Sequence, residues 1–248
     1  MSITGRGLKD AVWRFVGPLR QKIIHYTRRP PVGRIDWGGL RSMTPVSRDW
    51  GFDRGTPIDR YYIEQFLSNH SSDIRGRVLE VANNTYTERY GGERVTKSDV
   101  IHPTTGNPRA TIVADLTDAR DVSDALFDCI ICTQTLQLIF DFEAAMTTMY
   151  RLLRDRGVLL LTVPGISQIC REDMAISGDY WRFTDASLRR VFSRAFPGSA
   201  CEIRPHGNVL SSTAFLHGIA TEELQDTELA AHDPQYQLLL TARAEKSA

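Results

Sequence analysis

From about residue 58 onward, apolar positions fall into short β-type runs that alternate with stretches of helical spacing. Runs at Val78–Val81, Arg94–Ile101, Thr111–Leu116, Phe127–Thr133 and Val158–Val163 read as strands. The stretch Phe127-Asp128-Cys129-Ile130-Ile131-Cys132 has the continuous apolar character of a strand buried at the centre of a parallel sheet. Helical spacing puts Ile63, Phe66 and Leu67 on the inward face of a segment ending near Asn69. It does the same for Ala145, Met146, Met149, Leu152 and Leu153 within Phe142–Arg154, and for Leu188, Val191, Phe192 and Ala195 within Asp185–Phe196. Asp118–Leu126 reads as a short helix or turn. The last region gives a strand at Cys201–Pro205, a helix holding Phe215, Leu216, His217 and Ile219, and a strand at Gln235–Ala244. Strands alternating with helices predict an α/β fold, and the last two strands complete a seven-stranded, mostly parallel sheet.

The first 60 residues break this pattern and form an N-terminal extension, leaving 61–248 as the main domain. Leu8 to Tyr26 is amphipathic, with Trp13, Val16, Leu19, Ile23 and Ile24 among basic residues and an interruption at Gly17-Pro18. It reads as a helix that covers the core or pairs with a second subunit, which makes a homodimer an expectation; lying on a membrane surface is the alternative. Arg29 to Pro57, rich in Pro, Gly, Arg and Trp, reads as a long surface loop.

Charge sharpens that division. Residues 1–60 hold twelve Arg or Lys and five Asp or Glu, a balance of +7, so the neutral chain carries −7 in the remainder. The acidic stretch Glu222, Glu223, Asp226 and Glu228 is a plausible counterpart. No apolar run approaches the roughly 20 residues a membrane span needs, and the N-terminus lacks a signal-peptide pattern, so a cytoplasmic protein is expected. The four cysteines fit a reducing compartment. Cys129 and Cys132 lie three apart on one strand and point to opposite faces, which argues against a metal site.

Candidate chemistry gathers where strands end. Val78-Leu79-Glu80-Val81 runs into Ala82-Asn83-Asn84, a tight turn whose two Asn residues tolerate positive φ. Glu80 is then aimed at a ligand, Asp99 lies 19 residues further on, where an acid suits ribose hydroxyls, and Asp115 closes the third run. Thr133, Gln134, Thr135 and Gln137 follow the central strand, and Gly178 to Thr184 spells GDYWRFT after an insertion at Ile166–Tyr180. Arg54, Asp59, Arg60, Tyr61 and Tyr62 form a dense polar set that would either line a pocket or pin the extension.

The order VLEV-turn, SDV, ADL, FDCIICTQTLQLIFD and GVLLLTVPG resembles the class I S-adenosylmethionine-dependent methyltransferases, whose Rossmann-like sheet has seven strands. One departure is that Ala82-Asn83-Asn84 stands where the family usually has Gly-x-Gly. RGTPIDRYYIEQFL, SDVIH, TQTLQLIFD, VPGISQI, GDYWRFT and GNVL are similar to actinobacterial sugar O-methyltransferases, those of methylmannose polysaccharide assembly among them. The resemblance implies a sugar or oligosaccharide substrate and S-adenosylmethionine held by Glu80, Val81, Ala82, Asn83, Asn84, Tyr86, Asp99, Asp115, Leu116, Thr133 and Gln134. It implies Asp179, or else His217, as the base, with Arg60, Tyr61, Tyr62, Gln137, Tyr180, Trp181 and Arg182 orienting the acceptor. Asp141, Glu172, Asp173 and Asp179 are the oxygen donors available should magnesium take part.

Bland readings stand beside these: Trp181 and Phe183 would plug a sheet edge, and His217 would be a satisfied core histidine. Other classes have less support. The absence of Gly-x-Gly-x-x-Gly argues against a nicotinamide dehydrogenase. Thr133-Gln134-Thr135-Leu136 lacks the Asn-or-Asp-Pro-Pro-aromatic motif of DNA and RNA amino-methyltransferases, so DNA is not expected as a partner. An RNA methyltransferase and a non-catalytic copy of the fold remain as alternatives.

Overall fold

The computed structural model describes residues 30–248, so the Leu8–Tyr26 stretch and the dimer contact expected of it lie outside the described residues. The chain divides after Met43 into two units. In the first, a 3-10 turn spans Gly38–Arg41, and the Gly38 amide donates to Asp36 Oδ1 at 2.9 Å. The second, Thr44–Ala248, holds the sheet.

Seven strands make that sheet: β1 (Gly76–Val81), β2 (Val95–His102), β3 (Ile112–Val113), β4 (Phe127–Thr133), β5 (Leu153–Pro164), β6 (Ala200–His206) and β7 (Leu239–Glu245). Their order is β3-β2-β1-β4-β5-β7-β6, parallel throughout except that β7 runs antiparallel to both β5 and β6. Helices lie on both faces: α1 (Ile58–Asn69), α2 (Phe142–Leu152), α3 (Arg171–Ile176), α4 (Asp185–Ala195), α5 (Val209–His217) and α6 (Asp226–Ala230).

Alternation along each strand sorts side chains between two cores. Leu79, Ile130, Cys132, Leu159 and Leu161 join Met146 and Met149 of α2 and Leu188 and Phe192 of α4. Val78, Cys129, Ile131 and Leu160 join Ile63, Phe66 and Leu67 of α1 and Phe215 of α5. Cys129 and Cys132 therefore enter opposite layers, and burial pushes both thiols above their ordinary range.

Differences from the sequence reading have local causes. Helix α2 stops at Leu152, earlier than periodicity predicts, because Leu153 already pairs with Phe127 and opens a twelve-residue β5. Arg156 takes φ +64°, and a Cβ on Gly157 would sit 2.8 Å from the Arg154 carbonyl. Strand β7 begins at Leu239, not Gln235, since Gln237 is held in a loop by Asp185: the Asp185 amide donates to Gln237 Oε1 and Gln237 Nε2 donates to Asp185 Oδ1, both at 2.9 Å. Strand β2 runs on to His102 and ends at Pro103, whose ring removes a ladder donor.

Residues 44–60, grouped above with the extension, are built into the same unit as the sheet. Val46 and Ser47 amides donate to the His217 carbonyl at 2.8 and 3.1 Å. Arg54 forks onto the Glu223 carboxylate at 2.9 and 2.8 Å, and the Thr56 amide and hydroxyl donate to Glu222. Two of the four acidic residues proposed as a counter-charge thus hold the chain leading into α1. Among the described residues no helix is long and apolar enough to cross a membrane.

His206, at the end of β6, sits beside the Thr241 hydroxyl with 2.9 Å between Nε2 and Oγ1. Burial first, then the charges of His232 and Arg204, lower its pKa to about 4. Its folded pKa lies below the unfolded value of about 6.5, so the unfolded chain binds the extra proton between those values and stability falls as pH drops through that window. Denaturant titrations at pH 7 and pH 5 should show a loss on the order of 1–2 kcal/mol in the wild type that His206→Gln does not share.

Candidate active site

The C-terminal ends of β1, β2, β3 and β4 open onto a cavity of about 1230 Å³. This is where an open parallel sheet binds ligands, because the strand ends present backbone groups and the loops beyond them diverge. A second, smaller pocket of about 190 Å³ shares Phe52, Arg60, Gln134, Leu138 and Asp173 with it. A large chamber and a small one meeting at a polar neck suit a reaction that brings two ligands together.

The loop after β1 is set by Glu80. Its carboxylate is buried and accepts from the Tyr86 amide at 3.2 Å, the Thr87 amide at 2.8 Å and the Thr87 hydroxyl at 2.7 Å. Burial raises its pKa, opposed by those hydrogen bonds. Glu80 thus folds the loop whose Val81, Ala82, Asn83 and Tyr86 line the large cavity, and lines that cavity with them.

Ala82, not an asparagine, takes the left-handed position of this turn, at φ +69°; neither Asn83 nor Asn84 has positive φ. The Ala82 amide donates to the Ile101 carbonyl at 3.0 Å and its carbonyl accepts from Asn107 Nδ2 at 2.6 Å. Asn84 lies outside the cavity lining, with Nδ2 donating to Glu88 Oε1 at 2.9 Å and Oδ1 accepting from Arg109 at 3.4 Å.

Asp99 requires a correction. It lies three residues before the end of β2, buried, with Arg77 Nε at 2.6 Å, the Thr111 hydroxyl donating at 3.0 Å and Lys97 at 3.7 Å. It lines neither cavity. The residue at the strand end is His102, which lines the large cavity with Pro103 and Thr104 and whose Nδ1 lies 2.9 Å from the Thr104 carbonyl. A spacing rule that looks only for an acid passes over it, although Pro103 marks the end of the strand in the sequence. Asp115 and Leu116 line the cavity as expected, Asp115 Oδ1 accepting from the Thr117 amide and hydroxyl, both at 2.8 Å. Thr133 and Gln134 line it too, Gln134 in the left-handed region at φ +47°. Strain of that kind concentrates at sites where function fixes the backbone.

The acceptor-side expectations divide. Arg60 and Gln137 reach the small pocket, and Arg60 also faces the large cavity, where it donates to the Tyr86 hydroxyl at 3.2 Å. Tyr61 and Tyr62 line neither: Tyr62 is buried, donates to the Leu229 carbonyl at 2.8 Å and packs edge-on to Tyr61, because these positions fall on the core face of α1.

In GDYWRFT the residues part company. Tyr180 lines the large cavity, but Trp181 donates from Nε1 to the Ile139 and Phe140 carbonyls at 3.1 and 3.2 Å and packs against Phe140 and Phe142, which is the edge-plugging role. Gly178 has φ +92°, and a Cβ there would meet the Tyr180 ring at 2.2 Å, so the motif needs its glycine.

Neither expected base survives as one. Asp179 lines the small pocket, but Arg182 binds both its oxygens, at 2.6 and 2.9 Å, and the Cys170 amide donates to Oδ2 at 2.9 Å. Burial pushes this carboxyl up, yet the Arg182 hydrogen bonds, the Cys170 amide and the Arg182 charge outweigh it and the net shift is down. A carboxylate so satisfied is a weak proton acceptor. With Arg182 also donating to the Gln168 carbonyl at 2.6 Å, the pair knits the 166–183 loop together.

His217 ends α5 away from both cavities. The oxygen donors considered for magnesium do not converge: Asp141 accepts from the Ala144 amide as the cap of α2, Asp179 is taken by Arg182, and among the described residues no group of three or more such ligands comes together.

Four atoms around the small pocket were not singled out as a set by sequence: Asp59 Oδ1, Gln134 Nε2, Gln137 Oε1 and Gln168 Oε1 are buried and have no hydrogen-bond partner within the protein. Gln137 Nε2 donates to the Gln134 carbonyl at 2.8 Å, which turns its Oε1 the other way. Polar atoms are seldom buried unpaired, so a cluster of them around a pocket points to a ligand.

Two substitutions separate fold from ligand binding here. Asp99→Ala strands Arg77, which is about a quarter exposed, and is expected to cost about 2–4 kcal/mol in denaturant unfolding while the folded fraction keeps its affinity for a ligand in the large cavity. Ala82→Gly removes a left-handed strain of about 1–2 kcal/mol at the expense of about 0.5–1 kcal/mol of chain entropy. It is therefore expected to raise stability by about 0.5–1 kcal/mol, measured the same way.

A family profile described as "Methyltransferase domain" matches residues 38–218, most of the chain. No curated protein sequence matches significantly. Among solved structures, a putative methyltransferase of Haloferax volcanii, in complex with the Trm112 methyltransferase activator, is 14% identical with a TM-score of 0.51, over 84% of this chain and 100% of that one. Phosphoethanolamine N-methyltransferase 2 of Haemonchus contortus, in complex with S-adenosyl-L-methionine, is 12% identical with a TM-score of 0.49, over 86% of this chain and 55% of that one. YcgJ of Bacillus subtilis is 12% identical with a TM-score of 0.46, over 75% of this chain and 99% of that one. With residues 38–218 matched and the sheet order observed, this chain belongs to the methyltransferase family as a class I S-adenosylmethionine-dependent enzyme.

Proposed function

We propose that the protein methylates a hydroxyl of a sugar or small glycan precursor, with S-adenosylmethionine in the large cavity and the acceptor in the small pocket. The large cavity fits the methyl donor in size and in chemistry. Its turn at Ala82 gives close backbone approach, Asp115 and His102 offer polar contacts, and Ile101, Leu116 and Ile139 supply apolar walls. When bound there, the donor supplies an electrophilic methyl carbon on a sulfonium.

The observation that carries the acceptor class is the polarity of the small pocket. Asp59 Oδ1, Gln137 Oε1 and Gln168 Oε1 accept hydrogen bonds, while Gln134 Nε2 donates. Three unpaired acceptors against one unpaired donor favour a ligand that brings hydrogens, as a polyol does, over a phosphate or carboxylate. Trp50 and Phe52 add aromatic surface for a sugar's C–H face. The volume holds roughly a dozen water-sized groups at about 10–15 Å³ each, the size of one ring. Positioning the hydroxyl beside the neck at Arg60, Gln134 and Leu138 is the main contribution asked of the protein.

The test is methyl transfer from labelled S-adenosylmethionine to manno-oligosaccharides, small amines and RNA, each offered separately. Labelled O-methyl sugar is the expected product; transfer to an amine or RNA with none to sugar would overturn the reading. Absence of any calorimetric binding of S-adenosylmethionine would favour a non-catalytic protein. In the active protein, Gln137→Glu keeps an acceptor but loses the Nε2 donor to the Gln134 carbonyl, whereas Gln137→Leu loses both and is expected to lower kcat/KM for the sugar about 5- to 30-fold, from about 1–2 kcal/mol.

A further inference from the structure

Three sets of residues still without a role invite one: the exposed apolar rim of the large cavity at Phe140, Ile176 and Tyr180, the histidine at the end of β2, and the carboxylate at the start of α1. Nothing on the rim says what would cover it, and His102 belongs to the cavity already described. The carboxylate carries an argument.

Resting on the proposed sugar acceptor, we infer that Asp59 is the general base that takes the acceptor's hydroxyl proton, the pocket's three glutamines holding the ring so that this hydroxyl faces the neck. Asp59 occupies the first turn of α1, a twelve-residue helix whose Ile58, Tyr62, Ile63, Phe66 and Leu67 are buried, so its backbone is fixed by the core. Its Oδ1 is buried, lines the pocket and has no partner in the protein. Asp59 lines the small pocket only, and the residue after it, Arg60, lines both chambers.

Other candidates are already paired or less buried. Asp179 is clamped by Arg182. Asp173 lines both chambers, but it rides on the short helix α3 and is absent from the buried unpaired atoms. Tyr86, across the neck, already accepts from Arg60.

The step balances without a further reagent. A lone pair of the acceptor oxygen forms the new O–C bond as the methyl's C–S bond breaks, its electron pair leaving with the sulfur. The hydroxyl proton passes to the Asp59 carboxylate and from there to solvent after release of products. Burial raises the Asp59 pKa, which the charge of Arg60 and nearby backbone amides only partly offset, so it is a stronger base than an exposed aspartate. The charged groups lining the pocket around it are Arg60 from its own helix and Asp173, Asp179 and Arg182 from the facing loop.

A base works deprotonated, so activity should rise with pH through the Asp59 pKa, above the ordinary value of about 4 for an aspartate. Asp59→Asn keeps the shape and is expected to lower kcat about 100-fold or more, to abolish that ascending limb, and to leave the calorimetric Kd for S-adenosylmethionine within about threefold of wild type. Asp59→Glu should recover part of kcat. Retention of more than a third of wild-type kcat with the limb intact in Asp59→Asn, or loss of the limb in Asp173→Asn instead, would overturn the assignment while leaving sugar methylation standing. Failure of the wild type to methylate any sugar would overturn the function, and this assignment with it. If Asp59→Asn unfolds, Asp59→Glu decides: an unshifted pH limb at wild-type kcat is incompatible with a base at this position.

Discussion

A buried carboxylate, claimed by the backbone that follows it, holds the wall of the large cavity together. Glu80 leaves β1 one residue before its end, and its two oxygens collect the Tyr86 amide, the Thr87 amide and the Thr87 hydroxyl. Those donors lie at the start of the irregular Thr87–Gly91 turn, where the chain would otherwise leave amides unpaired against the core. Closing this ring of hydrogen bonds forces the intervening residues into a tight arch, and the arch bends at Ala82. A side chain in the left-handed region is tolerated because the surroundings over-determine it: the amide is fixed by β2 through Ile101 and the carbonyl by Asn107. Without a glycine there, the turn takes its left-handed position on Ala82 at a cost in strain.

That distinction explains what the sequence disclosed. The strands and the inward faces of the helices were legible because period-two and period-3.6 burial leave direct traces in residue type, down to Cys129 and Cys132 pointing to opposite faces. Glu80 was legible as a residue of the cavity, but its hold on the following loop was not, since a carboxylate's address in sequence does not say whether its oxygens will be claimed by the backbone. Asp99 failed for a related reason. Its spacing suited a ribose contact, but β2 runs on to His102, leaving Asp99 mid-strand, opposite Leu79 and within reach of Arg77.

The acceptor side was read by proximity to aromatic motifs, and there the pattern misled. Trp181 and Tyr62 are amphipathic rings whose polar tips found carbonyls in the protein itself, at Ile139, Phe140 and Leu229. Asp179 and Arg182, three apart in a loop that turns back on itself, satisfied each other. What remained unpaired around the small pocket were three glutamines and one aspartate from three separate segments: Asp59 of α1, Gln134 and Gln137 after β4, and Gln168 after β5. No periodicity gathers such a set, because the fold brings it together across the sheet's end.

The two chambers are then lined by opposite logics. Around the large cavity the polar groups are committed: Glu80 to the loop, Asp115 to Thr117, His102 beside Thr104. A ligand there meets a prearranged surface, and recognition rests on shape and on backbone approach. Around the small pocket the polar atoms are held in place by partners on one side and left open on the other, as Gln137 is by the Gln134 carbonyl. Each open buried atom costs on the order of 1–3 kcal/mol until something fills its valence. A ligand that pairs all four recovers that energy and one that leaves them unpaired does not, which gives the pocket selectivity through its unpaired atoms as well as its walls. The backbone strain at Gln134, whose side chain faces the pocket and whose carbonyl steadies Gln137, sits at the junction of the two regimes. Displacing that one residue would disturb both chambers together, so the turn after β4 is the point that couples them.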